Sequence, residues 1–337
     1  MRVIFNFDCQ SIEQLDAMSA EHRSEIGLDT ESVDLSRNSI VLGVAIAIDE
    51  TRGMYFFDPK DSMAKRFVAN SDVVWLQNAC HDIPKLQSFG YVIPHWDDTM
   101  ILAYSAGLLE KDLVSLSADF LQKPNPTVTD LWEERDRHRK HKKNSDANIG
   151  IDHTKLAGIS IIHACNTLGL AHKITHTDLY DTIDRPSLDL VIEMEQWGIL
   201  IDQVQLTRVD HTESSQAAQL EREILEELGL EINLGSTQQL AAALKLKGIV
   251  GTRKTATGAD STSEEALKGL NNPLADKILK WRSKMKTIST YVPALRQPNQ
   301  FGRIQTTFGF TRTGRWSSSN PNLQNLTTDT KFTVEEE

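Results

Sequence analysis

The chain has 337 residues, of which 39% are apolar and 25% are charged, and these ordinary values exclude a disordered chain, a collagen-like fibre and a small disulfide-stapled domain. Its net charge of −11 argues against a protein that coats nucleic acid indiscriminately. The strongest apolar run, residues 40–48, is far shorter than the roughly 20 residues of a membrane span. Three scattered cysteines and an N-terminus without signal-peptide features predict a reducing, cytoplasmic location.

The first half of the chain predicts strands followed by helices. The run at 40–48 is almost entirely aliphatic, which fits a strand that is buried on both faces. Strands are also expected at residues 24–28, 53–57 and 72–77, and helices at residues 82–89, 99–109 and 155–168. Three consecutive strands, a helix, a further strand and more helices are typical of an α/β domain with a mixed sheet.

Helices dominate beyond about residue 175, and a domain boundary is predicted near residue 180. Residues 203–228 have the apolar spacing of a long amphipathic helix, and Gly229 is typical of the position that ends one. Capping patterns predict three further helices, which begin after Ser236, Ser261 and Asn272.

Basic residues are concentrated in this second half. Residues 244–315 contain 14 Lys and Arg against 4 Asp and Glu, a balance of +10, so the remainder of the chain carries −21. An acidic body with a basic section is typical of enzymes that hold a phosphate backbone locally, although a solvated basic helix face would give the same count. The charged run at residues 131–143 indicates an exposed helix or loop, or else another nucleic-acid contact.

Two carboxylates, Asp29 and Glu31, follow the first predicted strand. Because residues i and i+2 of a strand point to the same side, both side chains can face one point in space. A divalent cation relieves the repulsion between two such carboxylates, and hard oxygen ligands suit Mg²⁺ or Mn²⁺. The alternative is that Asp29 and Glu31 only form the turn after the strand, since acidic residues at strand ends often have that role.

Two further polar clusters also lie next to predicted strands or helices. Residues 77–82 follow the fourth predicted strand, and Asp97-Asp98 stands before a predicted helix. The carboxyl ends of neighbouring strands are the usual place for a site in an α/β sheet. Asp98 is predicted either as a site residue or as the N-cap of the helix that follows it.

The order Leu28-Asp29-Thr30-Glu31, then Asn78-x-x-x-Asp82, then Asp98-Thr99-Met100 resembles the 3′–5′ exonuclease domain of family A (DNA polymerase I-like) DNA polymerases. The resemblance implies a ribonuclease-H-like α/β domain in which four carboxylates hold two Mg²⁺ or Mn²⁺ ions. It also implies that Asp29, Glu31 and Asp82 are catalytic metal ligands, with Asn78 and Asp98 in supporting positions. Two such ions can activate water and stabilise the leaving oxygen of a phosphodiester.

The fourth catalytic carboxylate and metal ligand is predicted at Asp152, which precedes a helix. The family pattern is Tyr-x-x-x-Asp, and Asn148 stands where the tyrosine is expected. His141 with Asp146 has the spacing of related histidine-using exonucleases and is the alternative. Without the tyrosine, full exonuclease activity is not assured, whereas metal binding can persist.

The second half resembles the polymerase part of the same family. The segments that carry the resemblance are residues 179–186, 194–202, 234–240, 258–262, 280–291 and 313–325. They correspond to the start of the polymerase domain, the helical thumb and the first strands of the palm. Trp316 stands where the family has leucine.

Five side chains in these segments are predicted to contact DNA. Arg282 and Lys286 are four residues apart on one helix face, so they can meet successive phosphates. The resemblance implies that Arg315, Gln324 and Asn325 face the minor groove near the primer terminus. Acceptors lie there on every base pair, so these donors could check pair geometry without reading sequence. The alternative is that Arg315 caps a turn and that Asn322 and Asn325 only shape loops.

The predicted organisation is an exonuclease domain at residues 1–178, a thumb region at 179–300 and an incomplete palm at 301–337. Because no further palm or fingers motif follows Asn325, we expect no polymerisation by this chain alone. The predicted function is metal-dependent 3′–5′ exonuclease activity with primer-template binding, in a bacterial or phage-infected cell. Its expected partners are a single-stranded DNA 3′ end, duplex DNA and a separate palm and fingers chain. The alternative is a non-catalytic DNA-binding subunit with a degenerate exonuclease site.

Overall fold

The computed structural model describes residues 2–5, 12–21, 24–33, 39–129, 131, 133, 151–249, 253–254, 260–311 and 313–326. The chain forms two compact units, the first comprising Met1–Gln196 with Arg312–Gly314 and the second Trp197–Thr311 with Arg315–Glu337. His141, Asp146, Asn148 and most of the charged run at 131–143 lie outside the described residues. The functional domain boundaries at residues 178 and 300 remain predictions.

The first unit is built around a six-stranded mixed sheet. Its strands are β1 (Arg2–Phe5), β2 (Ile26–Ser32), β3 (Val41–Ala47), β4 (Gly53–Phe56), β5 (Val74–Leu76) and β6 (Trp96–Asp98). They lie in the order β1-β4-β3-β2-β5-β6. The first four in this order pair antiparallel, whereas β5 and β6 run parallel to β2. The predicted mixed sheet is confirmed, and β1 and β6 are additional to the four predicted strands.

Helices cover this sheet. They are α1 (Ile12–Glu21), α2 (Ser62–Asn70), α3 (Ala79–Ser88), α4 (Thr99–Ser105), α5 (Leu113–Leu116), α6 (His153–Lys173) and α7 (Arg185–Trp197), with π-helical turns at Ser117–Leu121 and Tyr180–Asp184. The three predicted helices correspond to α3, α4 and α6. The helix α4 ends earlier than predicted because Gly107 adopts a left-handed φ of +78°, which is incompatible with a continuing helix.

The helix α6 packs directly across β2. At Gly27 the two backbones approach so closely that a Cβ atom would overlap the carbonyl oxygen of Ala164 and lie 3.0 Å from Cβ of Leu168. All seven residues of β3, the next strand, are buried, as its aliphatic run predicts. This packing brings the acidic end of β2 opposite the first half of α6, where Ser160 reaches Glu31.

Tyr180 and Arg185 hold the end of β6 in place. The hydroxyl of Tyr180 donates to Oδ1 of Asp97 and accepts from the backbone N–H of Asp98, both at 3.0 Å. The guanidinium of Arg185 stacks 3.6 Å from the ring centroid of Trp96 and donates to that residue's carbonyl oxygen at 2.7 Å. These residues of the segment 179–186, which resembles the start of a polymerase domain, therefore pack within the first unit.

The second unit is mainly helical. Its helices are α8 (Gln203–Leu228), α9 (Thr237–Leu246), α10 (Glu264–Lys268), α11 (Pro273–Lys286) and α12 (Val292–Leu295), with a π-helical turn at Thr287–Tyr291. The helix α8 has the predicted bounds and ends at Gly229, which has a left-handed φ of +64°. Its apolar face packs against α11 through a core that includes Ile224, Leu228, Ile278 and Trp281.

Two of the three predicted N-caps in this unit are confirmed. Ser236 accepts from the N–H of Gln239 at 3.3 Å, and Asn272 accepts from the N–H of Leu274 at 2.9 Å. The third is wrong by two residues, because Ser263 rather than Ser261 caps α10. The hydroxyl of Ser261 instead accepts from the N–H of Ser263, which orders the turn before the helix.

Short strands complete the second unit. β7 (Ile199–Leu200) pairs with β8 (Arg303–Ile304), and β9 (Thr307–Phe310) forms a hairpin with β10 (Trp316–Ser319). Among the helices that the structure describes in either unit, none has both the length and the apolar character needed to cross a membrane.

Candidate functional site

The carboxyl end of β2 brings Asp29 and Glu31 together, as the strand alternation predicts. The side chain of Asp29 is 23% exposed, yet its Oδ2 atom is buried and has no hydrogen-bond partner. Glu31 is buried, and its Oε1 accepts from the hydroxyl of Ser160 at 2.7 Å. Burial and the neighbouring charge of Asp29 raise the pKa of Glu31 to about 8. Both carboxylates would therefore gain from a nearby cation.

Asp82 adds a third carboxylate from the first turn of α3. Its side chain is buried and accepts a hydrogen bond from the hydroxyl of Thr30, the residue between the two carboxylates of β2. Burial, followed by the charge of Asp29, raises the pKa of Asp82 well above its ordinary value, and Lys85 acts in the opposite direction. Glu31 and Asp82 therefore each lie within electrostatic reach of Asp29.

His163 on α6 is a site residue that the sequence did not predict. Its Nδ1 lies 3.7 Å from Oδ2 of Asp29, and its Nε2 lies 2.7 Å from the carbonyl oxygen of Pro126. One ligand atom from each of Asp29, Glu31 and His163 lies within 4.8 Å of the other two. Burial lowers the pKa of His163, but the adjacent Asp29 outweighs burial and raises it to about 9.

The structure does not bring Asp152 into this group. Asp152 is the exposed N-cap of α6, where its carboxylate accepts from the N–H groups of Thr154 and Lys155, both at 3.0 Å. Ser160, which contacts Glu31, is eight residues further on, or about 12 Å along the helix axis. The sequence of α6 contains no Asp or Glu. Where the helix approaches the β2 carboxylates it therefore presents a hydroxyl and an imidazole.

Asp98 ties two helices to the edge of the sheet. Its buried carboxylate accepts from the N–H groups of Asn78 and Ala79 at the start of α3, and from those of Met100 and Ile101 at the start of α4. The N-cap alternative for Asp98 is therefore confirmed. Asn78 is exposed, has a left-handed φ of 70° and forms no side-chain capping bond. Asn78 was predicted to support Asp82, and in the structure it does so only by setting where α3 begins.

The raised pKa values predict that, without added metal, the first unit loses stability as the pH rises from about 5 to 9. Glu31 has a pKa near 8 when folded and 4.5 ordinarily, so between these values folding takes up a proton. His163 contributes stability below its ordinary pKa of 6.5 and loses it as the pH passes about 9. Both groups therefore reduce the free energy of unfolding over this range, by on the order of a few kcal/mol.

Urea unfolding in chelator at pH 5.5, 7 and 8.5 measures this dependence. The matched variant is Glu31→Gln, which keeps an acceptor for Ser160 and removes the titrating group. It should reduce the loss of stability between pH 5 and 8 and leave the part that is due to His163. A stability that increases with pH in the unmodified chain would contradict the prediction.

In the second unit, Arg282 and Lys286 lie on the same face of α11. Arg282 is half-buried, and its guanidinium donates to the carbonyl oxygen and hydroxyl of Thr262, in the turn before α10. Lys286 is exposed, and its ammonium lies 5.6 Å from the ring centroid of Tyr291. Lys286 is therefore available to a phosphate, whereas Arg282 is already engaged within the unit.

Arg315, Gln324 and Asn325 are exposed beside the β9–β10 hairpin. The side chain of Gln324 donates to the carbonyl oxygen of Trp316 at 2.9 Å and accepts from the N–H of Ser318 at 3.2 Å. The side chain of Gln324 therefore links the loop back to β10. The backbone of Arg315 pairs with Thr311 across the hairpin, which leaves its guanidinium at the surface.

The basic segment 244–315 is paired with acidic residues to a large extent. Three of its cations contact acids on α8, namely Lys277 with Glu227 at 3.0 Å, Lys284 with Glu213 at 2.6 Å and Arg296 with Asp210 at 2.5 Å. Local ion pairs also join Arg253 to Glu265, Lys254 to Asp260 and Lys268 to Glu264. The acids of these local pairs are already counted in the balance of +10, whereas those on α8 are not. The pairs with α8 therefore reduce the positive charge that this surface offers to a nucleic acid below +10.

Comparison with known proteins identifies the family. Residues 203–335 match the sequence model of DNA polymerase family A. DNA polymerase I of Rhizobium leguminosarum is 34% identical over 272 residues, which are 74% of this chain and 26% of that protein. The thermostable DNA polymerase I of Thermus aquaticus is 37% identical over 159 residues, which are 44% of this chain and 19% of that protein.

A solved structure shares the fold. It is the POL domain of Pol1 from M. smegmatis in complex with DNA primer-template and dNTP, and the match has a TM-score of 0.73. The match covers 95% of this chain and 56% of that chain, at 22% sequence identity. The chain is therefore a member of DNA polymerase family A that spans about a quarter of the length of the Rhizobium DNA polymerase I.

Proposed function

We propose that the first unit removes nucleotides from DNA 3′ ends by metal-dependent hydrolysis, and that the second unit binds primer-template duplex. The observation that carries the first part is the pair Asp29 and Glu31 at the carboxyl end of β2, with Asp82 hydrogen-bonded to Thr30 between them. The mixed sheet with flanking helices supports the ribonuclease-H-like assignment of this unit.

The residues present fit a divalent cation. Oδ2 of Asp29 is buried without a hydrogen-bond partner, and a buried carboxylate oxygen left in this state is costly. The ligands would be Asp29, Glu31 and Asp82, whose oxygen atoms suit Mg²⁺ or Mn²⁺. When bound, such ions activate water for attack on the phosphodiester and stabilise the leaving 3′ oxygen.

The chain's own residues position these ligands. Ser160 donates to Glu31 at 2.7 Å, which fixes one carboxylate oxygen and leaves the other for a ligand. The hydroxyl of Thr30 does the same for Asp82. Because both donors are buried and Ser160 lies where α6 packs on β2, the carboxylates are held before any substrate binds.

The test is the degradation of 5′-labelled single-stranded DNA by the purified chain, with Mg²⁺ or Mn²⁺ and with chelator. We expect a ladder that shortens from the 3′ end and is absent in chelator. An intact substrate with both metals, from a folded chain, would reject the nuclease proposal.

A second candidate function is DNA binding without hydrolysis. It is favoured by α6, which carries no carboxylate and presents Ser160 to Glu31. In this case the same assay would give no ladder while duplex binding persisted. A separate palm and fingers chain as partner remains a prediction, and its test is recovery of polymerase activity when such a chain is added.

Duplex binding by the second unit predicts a specific effect of its exposed cations. Lys286→Ala and Arg315→Ala should each weaken binding of a primer-template several-fold at 100 mM salt. Lys286→Ala should also reduce the slope of log affinity against log salt by about one, because one phosphate contact is lost. Fluorescence anisotropy of a labelled duplex over a salt series measures both quantities.

The matched control is Lys277→Ala on the same helix. Lys277 is paired with Glu223 and Glu227, so it is already neutralised within the unit. Its replacement should leave the salt slope unchanged. Equal effects of all three substitutions would argue that only net charge matters and would contradict the proposed contacts.

A further inference from the structure

We propose that His163 is a metal ligand alongside Asp29 and Glu31, so that this position favours a first-row transition-metal dication, such as Mn²⁺ or Co²⁺, over Mg²⁺. The inference rests on the proposed metal-dependent function and adds a residue and a metal preference to it. It is drawn from the geometry of the ring, the state of the facing carboxylate and the sequence of α6.

The first observation is the orientation of the imidazole. Nε2 of His163 lies 2.7 Å from the carbonyl oxygen of Pro126, which can only accept a hydrogen bond, so Nε2 carries the hydrogen. With Nε2 engaged in this way, Nδ1 is the ring atom that faces Asp29, and a metal would bind there in place of the Nδ1 proton. Histidines that bind metals almost always donate their other ring N–H to a carboxylate, backbone carbonyl or water in this way.

The second observation is the distance between the two facing atoms. Nδ1 of His163 and Oδ2 of Asp29 are 3.7 Å apart, which is too long for a hydrogen bond. Two atoms that each lie about 2.1 Å from one cation are at most about 4.2 Å apart, so this separation suits a shared ion. Oδ2 of Asp29 is the buried oxygen that has no hydrogen-bond partner.

The third observation concerns the side chains that α6 places next to Asp29 and Glu31. Ser160 and His163 are three residues apart and therefore lie on one face of the helix, towards β2. Ser160 is committed to Glu31 by a hydrogen bond at 2.7 Å. The helix contains no Asp or Glu, so among its residues that contact these carboxylates His163 supplies the donor atom.

The metal preference follows from the donor types. Carboxylate and water oxygens suit Mg²⁺, whereas an imidazole nitrogen raises affinity for transition metals over Mg²⁺. An Asp-Glu-His set should therefore bind Mn²⁺ and Co²⁺ more tightly than Mg²⁺.

The test is metal binding by the full chain, measured without DNA so that it does not depend on nuclease activity. Isothermal titration with Mn²⁺ and with Mg²⁺ gives the affinities, and the visible absorption of bound Co²⁺ reports a nitrogen ligand. We expect His163→Ala to weaken Mn²⁺ and Co²⁺ binding at least tenfold, to weaken Mg²⁺ binding by less than threefold and to change the Co²⁺ spectrum. His163→Gln, which keeps more of the side-chain volume, repeats the measurement with less risk to folding.

His172→Ala is the matched control. It removes an exposed histidine near the other end of the same helix and should leave all three affinities unchanged.

Three results would overturn the inference. Unchanged Mn²⁺ binding in His163→Ala would show that the carboxylates hold the metal alone, which leaves the proposed nuclease intact. Tighter binding in that variant would show that His163 is only a cationic partner of Asp29 and competes with the metal. No Mn²⁺ binding by the unmodified chain would remove the inference and the metal-dependent function together, and the 3′-end assay would separately confirm the loss of function.

Discussion

Replacing Asp29 with asparagine should lower the rate of 3′-end hydrolysis by about 10³-fold, which corresponds to about 4 kcal/mol of transition-state stabilisation. Asparagine has nearly the same shape, so the packing of β2 is kept while the negative charge that faces Glu31, Asp82 and His163 is lost. Because Asp29 raises the pKa of both other carboxylates, its removal also relieves repulsion. This relief opposes the loss of the favourable interaction between Asp29 and His163, so the change in stability should be small. Urea unfolding of the variant checks that the loss of activity is not due to unfolding.

Asp152→Asn is the matched substitution. Asparagine caps helices as well as aspartate does, so α6 should keep its N-terminus and the free energy of unfolding should change little. We expect its nuclease rate to stay within threefold of the unmodified chain, since Asp152 caps α6 about 12 Å along the helix axis from Ser160. Both rates come from single-turnover assays on 5′-labelled DNA with Mn²⁺ and with Mg²⁺.

The two variants together decide the composition of the site. A large loss in Asp152→Asn would restore the fourth carboxylate predicted from sequence and would require α6 to move when substrate binds. Full activity in Asp29→Asn would reject the carboxylate site altogether. A loss confined to Asp29→Asn would place the chemistry at the end of β2.

Gly27→Ala should destabilise the first unit by about 4 kcal/mol or more, which is exceptional for the addition of one methyl group. A Cβ atom at position 27 would overlap the carbonyl oxygen of Ala164, and backbone atoms cannot rotate away as a side chain can. The sheet and α6 would have to separate, which would also draw Ser160 and His163 away from the β2 carboxylates. Urea unfolding measures the change, and metal titration shows whether the site is lost with it.

Gly158→Ala provides the comparison on the same helix. No atom lies within 4 Å of a Cβ built at Gly158, and the residue is inside α6. Alanine in a helix interior is favoured over glycine by about 0.5–1 kcal/mol, so this variant should be slightly more stable. If the two substitutions had similar effects, the close approach of β2 and α6 would be in error.

The parts of the fold that the sequence predicted are those with local signals. The strand β3 follows from an unbroken aliphatic run, and α8 follows from its apolar spacing and the glycine that ends it. The strand β2 was predicted at residues 24–28, but it runs over Ile26–Ser32 and contains Asp29 and Glu31. The strand β6 has only three residues, two of them acidic, and is held by Tyr180 and Arg185 from a distant segment. No local pattern contains that information.

The same distinction applies to the candidate site. Asp29, Glu31 and Asp82 were predicted because each stands beside a recognisable strand or helix start. His163 and Ser160 were not, because each is an ordinary residue of an apolar helix until α6 is placed against β2. The signal available in the sequence was a serine and a histidine three residues apart, on one face of a helix that contains no acidic residue.

The double cap formed by Asp98 has a consequence for exchanging parts between related proteins. One carboxylate on β6 anchors the first turns of both α3 and α4, and Asp82 lies in the α3 turn that it anchors. The position of Asp82 is therefore set by a neighbouring strand as well as by its own helix. A chimera that imports α3 alone would inherit a foreign anchor, whereas one that transfers residues 78–101 as a block would carry the ligand and its support together.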